Sequence, residues 1–255
     1  MQNNMVPKEA LIAYLNDYLA IGDVPDYKEA YNGLQVDGKP NIRRVALAVD
    51  ACLKTIAQAV IEGADLLIVH HGLFWGAKAP ITGPYYDRLA LLLKNDLAVY
   101  ACHTPLDAHP EVGNNHVLAR LLGFEPLGMW GKMEGVPLGI YTEVNITRDA
   151  LAQRIHDTLH VVPHLIATGP VQIQRLGIVT GGAGSMIAEA QTHRIDTFLT
   201  GEGAHHTYFE AEERGMNVIY AGHYATETVG VKALGKHLEE RFGLQTFFID
   251  HPTGL

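Results

Sequence analysis

Cysteine is scarce in this chain. Cys52 and Cys102 are the only two among 255 residues, and they lack the paired spacing of a zinc knuckle or a redox motif. A small secreted protein held together by disulfides carries several cysteines, so the count excludes that class. It is typical of a protein kept in a reducing compartment, and we expect a cytoplasmic location.

Long apolar runs and an excess of positive charge are also missing. No apolar run approaches the roughly 20 residues that span a bilayer, and the stretch from Met1 to Pro7 has neither the basic run nor the apolar core of a signal peptide. The 19 basic and 28 acidic residues give a net charge of −9, which repels a phosphate backbone. We expect no membrane contact, and duplex nucleic acid is disfavoured as a partner.

Apolar residues make up 47% of the chain, enough for one large core or two compact lobes. Strand-like runs alternate with helical stretches in both halves, which predicts an α/β fold with largely parallel sheets. The predicted strands are Val45–Val49, Leu66–Val69, Ala98–Ala101, Leu176–Thr180, Phe198–Thr200 and Asn217–Ala221. The predicted helices are Leu53–Glu62, Tyr86–Lys94, Met186–Gln191, Thr207–Arg214 and Thr226–Arg241.

The second half repeats the first. Residues 45, 47, 65 and 71 match residues 176, 178, 196 and 202 at a constant offset of 131, and Val99–Asp107 matches Ile219–Glu227 at an offset of 120. An insertion of eleven residues within Phe74–Pro84 would reconcile the two offsets. All α/β units share apolar patterns, so the shared histidine and acidic positions are what favour an internal duplication. We place the first repeat at residues 1–127 and the second at 128–255, with Met129–Glu134 as a turn-rich crossover.

Histidines and carboxylates follow the predicted strands in both halves. His70 and His71 end one strand, His103 and Asp107 follow the next, and His223 and Glu227 follow the equivalent strand of the second half. The carboxyl ends of parallel strands share one edge, where ligands bind in such sheets. Imidazole and carboxylate suit zinc, iron or manganese.

A single histidine is more often packed or solvated than a metal ligand. Several histidines and carboxylates at equivalent strand ends make a metal site the better interpretation. Adjacent histidines such as His70 and His71 point to opposite faces of a strand, which favours two ions over one. The sequence therefore predicts a dinuclear centre with the ligands His70, His71, Asp107, His223 and Glu227.

Two features of the second half stay open. The glycine-rich turn Gly181–Ser185 could hold an anion or be a plain tight turn, and it lacks the fingerprints for NAD or ATP. Glu202, His205 and His206 could support the metal ligands or contact substrate, or they could simply begin a helix.

Five motifs spread along the chain resemble the GTP cyclohydrolase I type 2 family, also called the Nif-three-like dinuclear-metal family. They are Asn32–Val36, Val69–Gly72, His103–Asp107, Thr200–Glu202 and Ala221–Glu227. The resemblance implies two intertwined α/β repeats with mixed sheets, a toroidal homohexamer and a site that faces an internal cavity. It also implies that this is the short form of the family, without an inserted domain.

The resemblance further assigns each ligand to an ion. His71, Asp107 and Glu227 would hold one metal, and His70, His223 and the shared Glu227 would hold the other. His103 would stand beside the site.

The function that follows is hydrolysis of a nucleotide or related small heterocycle. A hydroxide made from metal-activated water would attack the substrate, and His103 would shuttle the proton. With GTP as the substrate, the attack would fall on C8 of guanine, followed by ring opening and loss of formate. The alternatives are a dinuclear phosphoesterase or amidohydrolase, and a non-catalytic hexameric scaffold or regulator that the metals stabilise.

Overall fold

The computed structural model describes residues 4–75, 79–133 and 135–255. Strands and helices alternate along the described chain, which confirms the predicted α/β class. The strands are β1 (Val6–Pro7), β2 (Gly33–Val36), β3 (Asn41–Ile42), β4 (Arg44–Asp50), β5 (Leu66–His71), β6 (Ala98–Ala101), β7 (Gly128–Met133), β8 (Val136–Thr147), β9 (His164–Ala167), β10 (Gln172–Ile178), β11 (Thr197–Thr200), β12 (Asn217–Tyr220) and β13 (Gln245–Phe248). The α-helices are α1 (Lys8–Tyr18), α2 (Leu53–Ile61), α3 (Gly83–Lys94), α4 (Thr104–Ala108), α5 (Asn114–Leu121), α6 (Arg148–Leu159), α7 (Ile187–Thr192), α8 (Thr207–Arg214) and α9 (His223–Phe242).

The chain forms two compact units, each made of two separate stretches of sequence. The first unit contains Met1–Leu106 and Gly230–His251, and the second contains Asp107–Val229 and Pro252–Leu255. This division differs from the predicted one at residues 127 and 128. Strand β13 pairs with β4, so residues 230–251 belong to the first unit although they lie late in the sequence. Helix α5, which precedes residue 127, packs into the core of the second unit.

The first unit is built on a five-stranded sheet in the order β13, β4, β5, β6, β2. Its strands run parallel except β2, which pairs antiparallel with β6. Residues 45–49 of β4 are buried without a break, as expected for a parallel strand covered on both faces. One face packs against α2 and α3 through an apolar cluster that includes Ala46, Ala48, Ile56, Leu67, Val69, Leu92, Val99 and Ala101.

The second unit has a six-stranded sheet in the order β7, β8, β10, β11, β12, β9. Its three central strands β10, β11 and β12 are parallel, and β8 and β9 flank them antiparallel. Two apolar clusters cover its faces: one includes Leu118, Leu151, Ile155, Leu199 and Ile219, and the other includes Ile187, Phe198, Ala211 and Val218. Three parallel strands with an antiparallel neighbour thus recur in both units, as the predicted duplication requires.

The duplication extends to individual hydrogen bonds. Oδ2 of Asp65 accepts the backbone amides of residues 43 and 44 at 2.9 and 3.0 Å. Oδ2 of Asp196 accepts the amides of residues 174 and 175 at 2.9 and 3.0 Å. Each carboxylate therefore connects the residue just before one strand to the backbone of the neighbouring parallel strand, and the two sets of hydrogen bonds are related by the predicted offset of 131 residues.

Replacing Asp65 with alanine is expected to lower the free energy of unfolding at neutral pH by about 1.5–3 kcal/mol, because two amides lose a charged acceptor. Burial raises the pKa of Asp65, but the bonds from Lys39, Arg43 and Arg44 outweigh it and bring the pKa below its ordinary value of 3.8. A carboxyl with a lowered native pKa stabilises the fold above that ordinary value and loses the effect as pH falls through the native one.

The difference between wild type and Asp65→Ala should therefore be constant near neutrality and shrink below about pH 4. Urea unfolding at a series of pH values measures it. Asp87→Ala, at an exposed position of α3, is the control and should stay within about 0.5 kcal/mol of wild type. A difference for Asp65→Ala that does not change with pH would contradict the assigned role.

The predicted alignment of the two repeats is wrong by one residue at the third parallel strand, which is β6 in the first unit and β12 in the second. Leu66 pairs with Ala98 in the first unit, and Thr197 pairs with Asn217 in the second, so β6 and β12 correspond at an offset of 119 rather than 120. A slip of one residue moves side chains to the other face of a strand. Val99 accordingly corresponds to Val218, on the face covered by the crossover helices, and not to Ile219.

Several predicted boundaries also move. Strand β5 continues through His71, and α9 begins at His223, three residues before its predicted start at Thr226. The predicted crossover Met129–Glu134 is wrong, because residues 128–133 form β7, which pairs antiparallel with β8; Glu134 lies outside the described residues. Residues 76–78 of the proposed insertion Phe74–Pro84 also lie outside them. Within the described chain, no helix is long and apolar enough to cross a membrane.

Candidate metal centre

His70 lies at the end of β5 and is fully buried. Its Nδ1 is 2.9 Å from the backbone carbonyl oxygen of Cys102. A carbonyl can only accept a hydrogen bond, so Nδ1 carries the proton and Nε2 carries the lone pair. This tautomer presents Nε2 as the metal-binding nitrogen.

His71 is oriented in the same way by a carboxylate. Asp50, the last residue of β4, pairs with His71 in the parallel sheet, and its Oδ1 lies 2.9 Å from Nδ1 of His71. A carboxylate that accepts from one imidazole nitrogen fixes the ring and makes the other nitrogen a better ligand. The strand pairing thus supplies both the ligand and its support.

His103 has a buried carboxylate partner that the sequence did not reveal. Its Nδ1 lies 2.8 and 3.1 Å from the two oxygens of Asp26, and its backbone amide donates to Oδ1 of Asn32 at 2.8 Å. Burial raises the pKa of Asp26, but the hydrogen bonds and charge of His103 and the bonds from Asn32 and Thr104 outweigh it and hold the pKa well below its usual range. Asp26 therefore stays ionised and keeps the proton of His103 on Nδ1.

These three histidines of the first unit lie together. One nitrogen from each can be chosen so that all lie within 4.8 Å of one another. The ring centroids are 4.7 Å apart for His70 and His71, 5.0 Å for His70 and His103, and 5.6 Å for His71 and His103. Three imidazoles in this arrangement can bind a metal ion together. Alternatively, two of them can serve as metal ligands while the third transfers protons. We call these residues the three-histidine cluster.

Asp107 begins the second unit and is held by polar neighbours there. Its Oδ1 accepts a hydrogen bond from Nδ2 of Asn114 at 2.8 Å and a longer one from Oγ1 of Thr180 at 3.4 Å. Asn115 braces the same place, because its Oδ1 accepts the amide of Thr180 at 2.8 Å and its Nδ2 donates to the carbonyl of Leu138. The carboxylate is buried, and its orientation is fixed before any ligand arrives.

His223 and Glu227 form a pair at the start of α9. Four residues apart on the helix, they bring Nε2 of His223 within 3.2 Å of Oε2 of Glu227. Oε1 of Glu202 lies 2.9 Å from the other imidazole nitrogen, Nδ1. The bond to Glu227, against the opposing effect of burial and with help from Glu202, raises the pKa of His223 to about 9. Two carboxylates around one imidazole favour a cation at this place, whether a proton or a metal ion.

Gly181 lies against the carboxylate of Glu227. It has a φ of +71°, and a Cβ there would fall 2.2 Å from Oε1 of Glu227. Only glycine combines that backbone conformation with so close an approach. The glycine is therefore required by the position of Glu227.

The structure shows the surroundings of the glycine-rich turn Gly181–Ser185 and of Glu202, His205 and His206, whose roles the sequence left open. In the Gly181–Ser185 turn, the amides of Gly181, Ala183 and Gly184 donate to Thr226, Thr200 and Glu202. Those amides are used within the protein, which favours a plain tight turn over an anion site. His205 and His206 are exposed just before α8, whereas Glu202 contacts His223.

Sequence reasoning missed the oxygen atoms that orient the histidines. Asp50 directly follows a predicted strand beside the strand of His71, so its position was a usable signal. Asp26 lies in an irregular segment between α1 and β2, where no periodicity marks it. The Asn32–Val36 motif was noted, but nothing in the sequence indicated that Asn32 touches Asp26 and His103.

A cavity of about 570 Å³ adjoins Glu202 in the second unit. Its lining includes His164, Glu202, Tyr220, Gly222 and Tyr224. The rings of His164 and Tyr220 lie nearly parallel, with centroids 6.4 Å apart. Glycines and alanines lie among the lining residues beside these rings, which leaves room for a small molecule next to a carboxylate that contacts His223.

The chain is similar to known proteins along nearly its whole length. Residues 8–254 match the family described as Duf34/NIF3 (NGG1p interacting factor 3). A Pyrococcus abyssi protein named GTP cyclohydrolase 1 type 2 homolog is 44% identical over 251 residues, covering 97% of this chain and 99% of its own. A protein of the same name from Deinococcus radiodurans is 42% identical over 252 residues, covering 98% and 95%. The crystal structure of TTHA1606 from Thermus thermophilus is 44% identical, has a TM-score of 0.90, and covers 98% of this chain and 100% of that one.

Proposed function

Since the chain belongs to the DUF34/NIF3 family, we propose that it is a dinuclear metal-dependent hydrolase acting on a nucleotide or related small heterocycle. His71, Asp107 and Glu227 would hold one divalent ion, and His70, His223 and Glu227 the other. Zinc, iron and manganese all accept this mixture of nitrogen and oxygen ligands. The observation that carries the proposal is that Nδ1 of each candidate imidazole is paired with an oxygen atom.

The donor set fits metal ions for three reasons. His70 and His71 each have Nδ1 occupied by an oxygen acceptor, which leaves Nε2 as the donor. Asp107 and Glu227 are only 7% and 3% exposed, and buried carboxylates of this kind are stable when a cation neutralises them. The absence of a side chain at Gly181 leaves the space into which the carboxylate of Glu227 reaches.

The chemistry divides between the ions and the protein. The ions would supply Lewis acidity, lowering the pKa of water towards neutrality and polarising the bond under attack. His103 would accept a proton at Nε2 during the attack and return it to the leaving group. Asp26 would keep the ring in the correct tautomer and stabilise the imidazolium, because its own lowered pKa prevents it from taking the proton.

GTP is the first substrate to test, because relatives carry the name GTP cyclohydrolase 1 type 2 homolog. Attack of one water at C8 of guanine would open the imidazole ring to a formamide, and a second water would hydrolyse that formamide and release formate. A phosphoesterase with the same ligands would release inorganic phosphate instead. We also propose that the chain assembles as a homohexamer, which light scattering of the purified protein tests directly.

Elemental analysis of protein purified without chelators or a histidine tag tests the metal centre. Wild type is expected to hold nearly two ions per subunit, and Glu227→Ala well below one, because Glu227 serves both ions. The matched control is Glu213→Ala, an exposed glutamate of α8, which should retain the wild-type content. No bound metal in wild type after reconstitution with zinc, iron or manganese would overturn the proposal.

A nucleotide panel with formate and phosphate readouts then tests the reaction. Release of either product by wild type, and its loss in Glu227→Ala, would support a hydrolase and identify its type. Metal-replete protein that releases neither from any nucleotide would contradict the hydrolase and leave the metal-stabilised scaffold as the better account.

A further inference from the structure

Two large aromatic side chains stand exposed beside the three-histidine cluster. Trp75 is 41% exposed and Tyr27 is 47% exposed. Both contact the imidazole of His103: the indole meets it edge-on with centroids 4.9 Å apart, and the phenol ring stacks on it at 5.8 Å. Nothing in the chemistry proposed above uses either residue.

Trp75 is held in place although much of its surface is open. Its indole Nε1 donates to the carbonyl oxygen of Gly72 at 2.9 Å, and its backbone forms an isolated antiparallel bridge with Ala30. The ring also meets His71 at a centroid distance of 5.9 Å. A hydrogen-bonded indole in contact with two imidazoles is a fixed surface, not a side chain that moves freely in solvent.

Tyr27 is fixed through the carboxylate that orients His103. The backbone amide of Tyr27 donates to Oδ1 of Asp26 at 2.8 Å, and Oδ1 of Asp26 also accepts from Nδ1 of His103 at 2.8 Å. Asp26 therefore sets the position of the candidate proton carrier and of its aromatic neighbour together. Tyr27 and Trp75 each contact His103, so a planar group stacked on either ring would lie close to that imidazole.

Exposed aromatic rings in a fixed position favour a planar partner. Trp130, the other tryptophan of the chain, is 1% exposed and packs in the core of the second unit, where its large apolar ring contributes to stability. Stacking on an aromatic side chain is a common way to hold a nucleobase, since every base has a π-face. Neither Trp75 nor Tyr27 carries a charge that would select a phosphate.

We propose that Trp75 and Tyr27 form a stacking subsite that holds the planar heterocyclic ring of the substrate beside His103. The subsite would bind purines and related fused or single aromatic rings and would be indifferent to sugar and phosphate groups. It rests on the proposed function for the identity of the reaction, but binding of the ring can be measured without turnover.

Tryptophan fluorescence gives a direct readout, because the chain contains only two tryptophans. Metal-loaded wild-type protein is titrated with guanosine and with GTP, and in parallel with ribose 5-phosphate and inorganic triphosphate, while acrylamide quenching is followed. Trp75 is open to acrylamide and Trp130 is not, so ring binding should protect the accessible fraction. Protection by the two guanine compounds and none by the ring-free ligands is the expected result; equal effects of all four would overturn the subsite.

Equilibrium dialysis with labelled guanosine tests the residues. Trp75→Leu is expected to weaken binding about tenfold or more, because leucine keeps an apolar surface but has no ring to stack, and Trp75→Phe should stay within about threefold of wild type. Tyr208→Leu removes another partly exposed ring, in the second unit, and should change nothing. Circular dichroism confirms that each variant folds. Trp75→Leu binding as tightly as wild type would overturn the proposal.

The two proposals can fail separately. Unchanged guanosine affinity in Trp75→Leu, together with two ions per subunit and product release in wild type, would remove the stacking subsite and leave the hydrolase. Guanosine protection of Trp75 in a protein that binds no metal would remove the hydrolase and leave the subsite.

Discussion

Replacing Asp26 with alanine is expected to lower the free energy of unfolding by about 3–5 kcal/mol, the range for removing one partner of a buried charged network. The Asp26 side chain is 5% exposed. Its two oxygens accept hydrogen bonds from Nδ1 of His103, the amide and hydroxyl of Thr104, and Nδ2 of Asn32. Alanine leaves all of these donors without the charged acceptor, in a place that water reaches poorly. Urea unfolding in the presence of a chelator measures the loss apart from any metal effect.

Two further variants sharpen this prediction. Asp26→Asn retains one oxygen acceptor but places an NH2 group against several donors, so its loss should fall between those of wild type and the alanine variant. Asp23→Ala changes an exposed carboxylate of the same segment and should cost less than about 0.5 kcal/mol. A loss below about 1 kcal/mol for Asp26→Ala would mean that the network does not hold this segment.

Replacing Gly181 with alanine is expected to reduce both stability and metal content. The positive φ of Gly181 makes any Cβ unfavourable by about 1–2 kcal/mol. The added methyl group would also lie 2.2 Å from Oε1 of Glu227, so the carboxylate has to move. Because Glu227 is the proposed ligand of both ions, fewer than one metal ion should remain per subunit.

Gly215 offers a matched control for that experiment. It has a φ of +62° at the end of α8, and a Cβ there would meet nothing within 4 Å. Gly215→Ala should lose a similar amount, about 1–2 kcal/mol, from backbone strain alone and keep the full metal content. If both alanine variants hold wild-type metal, the close approach of Gly181 to Glu227 has no bearing on the ions.

The sequence was sufficient for the fold class and the duplication. Parallel strands that are buried on both faces appear in the sequence as continuous apolar runs such as Val45–Val49. Asp65 and Asp196 occupy matching positions because each binds the backbone of the equivalent neighbouring strand in its own unit. The histidines could be placed at strand ends because a run of apolar residues stops where the sheet stops.

Other features depended on contacts that leave no local pattern. The one-residue slip in the third strand pair was hidden because Val99–His103 and Ile219–His223 are alike in sequence, although hydrogen bonding sets their register. Strand β7 contains Gly128 and Gly131, which suggested a turn, and only its pairing with β8 makes it a strand. Asp26 acts on His103 across 77 positions of the chain, a separation that no local reading detects.

The pairing of β13 with β4 has a consequence for synthesis on the ribosome. Until residues 245–248 emerge, β4 has a neighbour on one side only, β5, and its other edge presents unpaired amides and carbonyls over an apolar strand. Such an edge is prone to pair with other chains. The sheet of the first unit is therefore complete only after β13 has been translated, although most of that unit is translated much earlier. A nascent chain arrested before β13 would therefore be the species most dependent on chaperones.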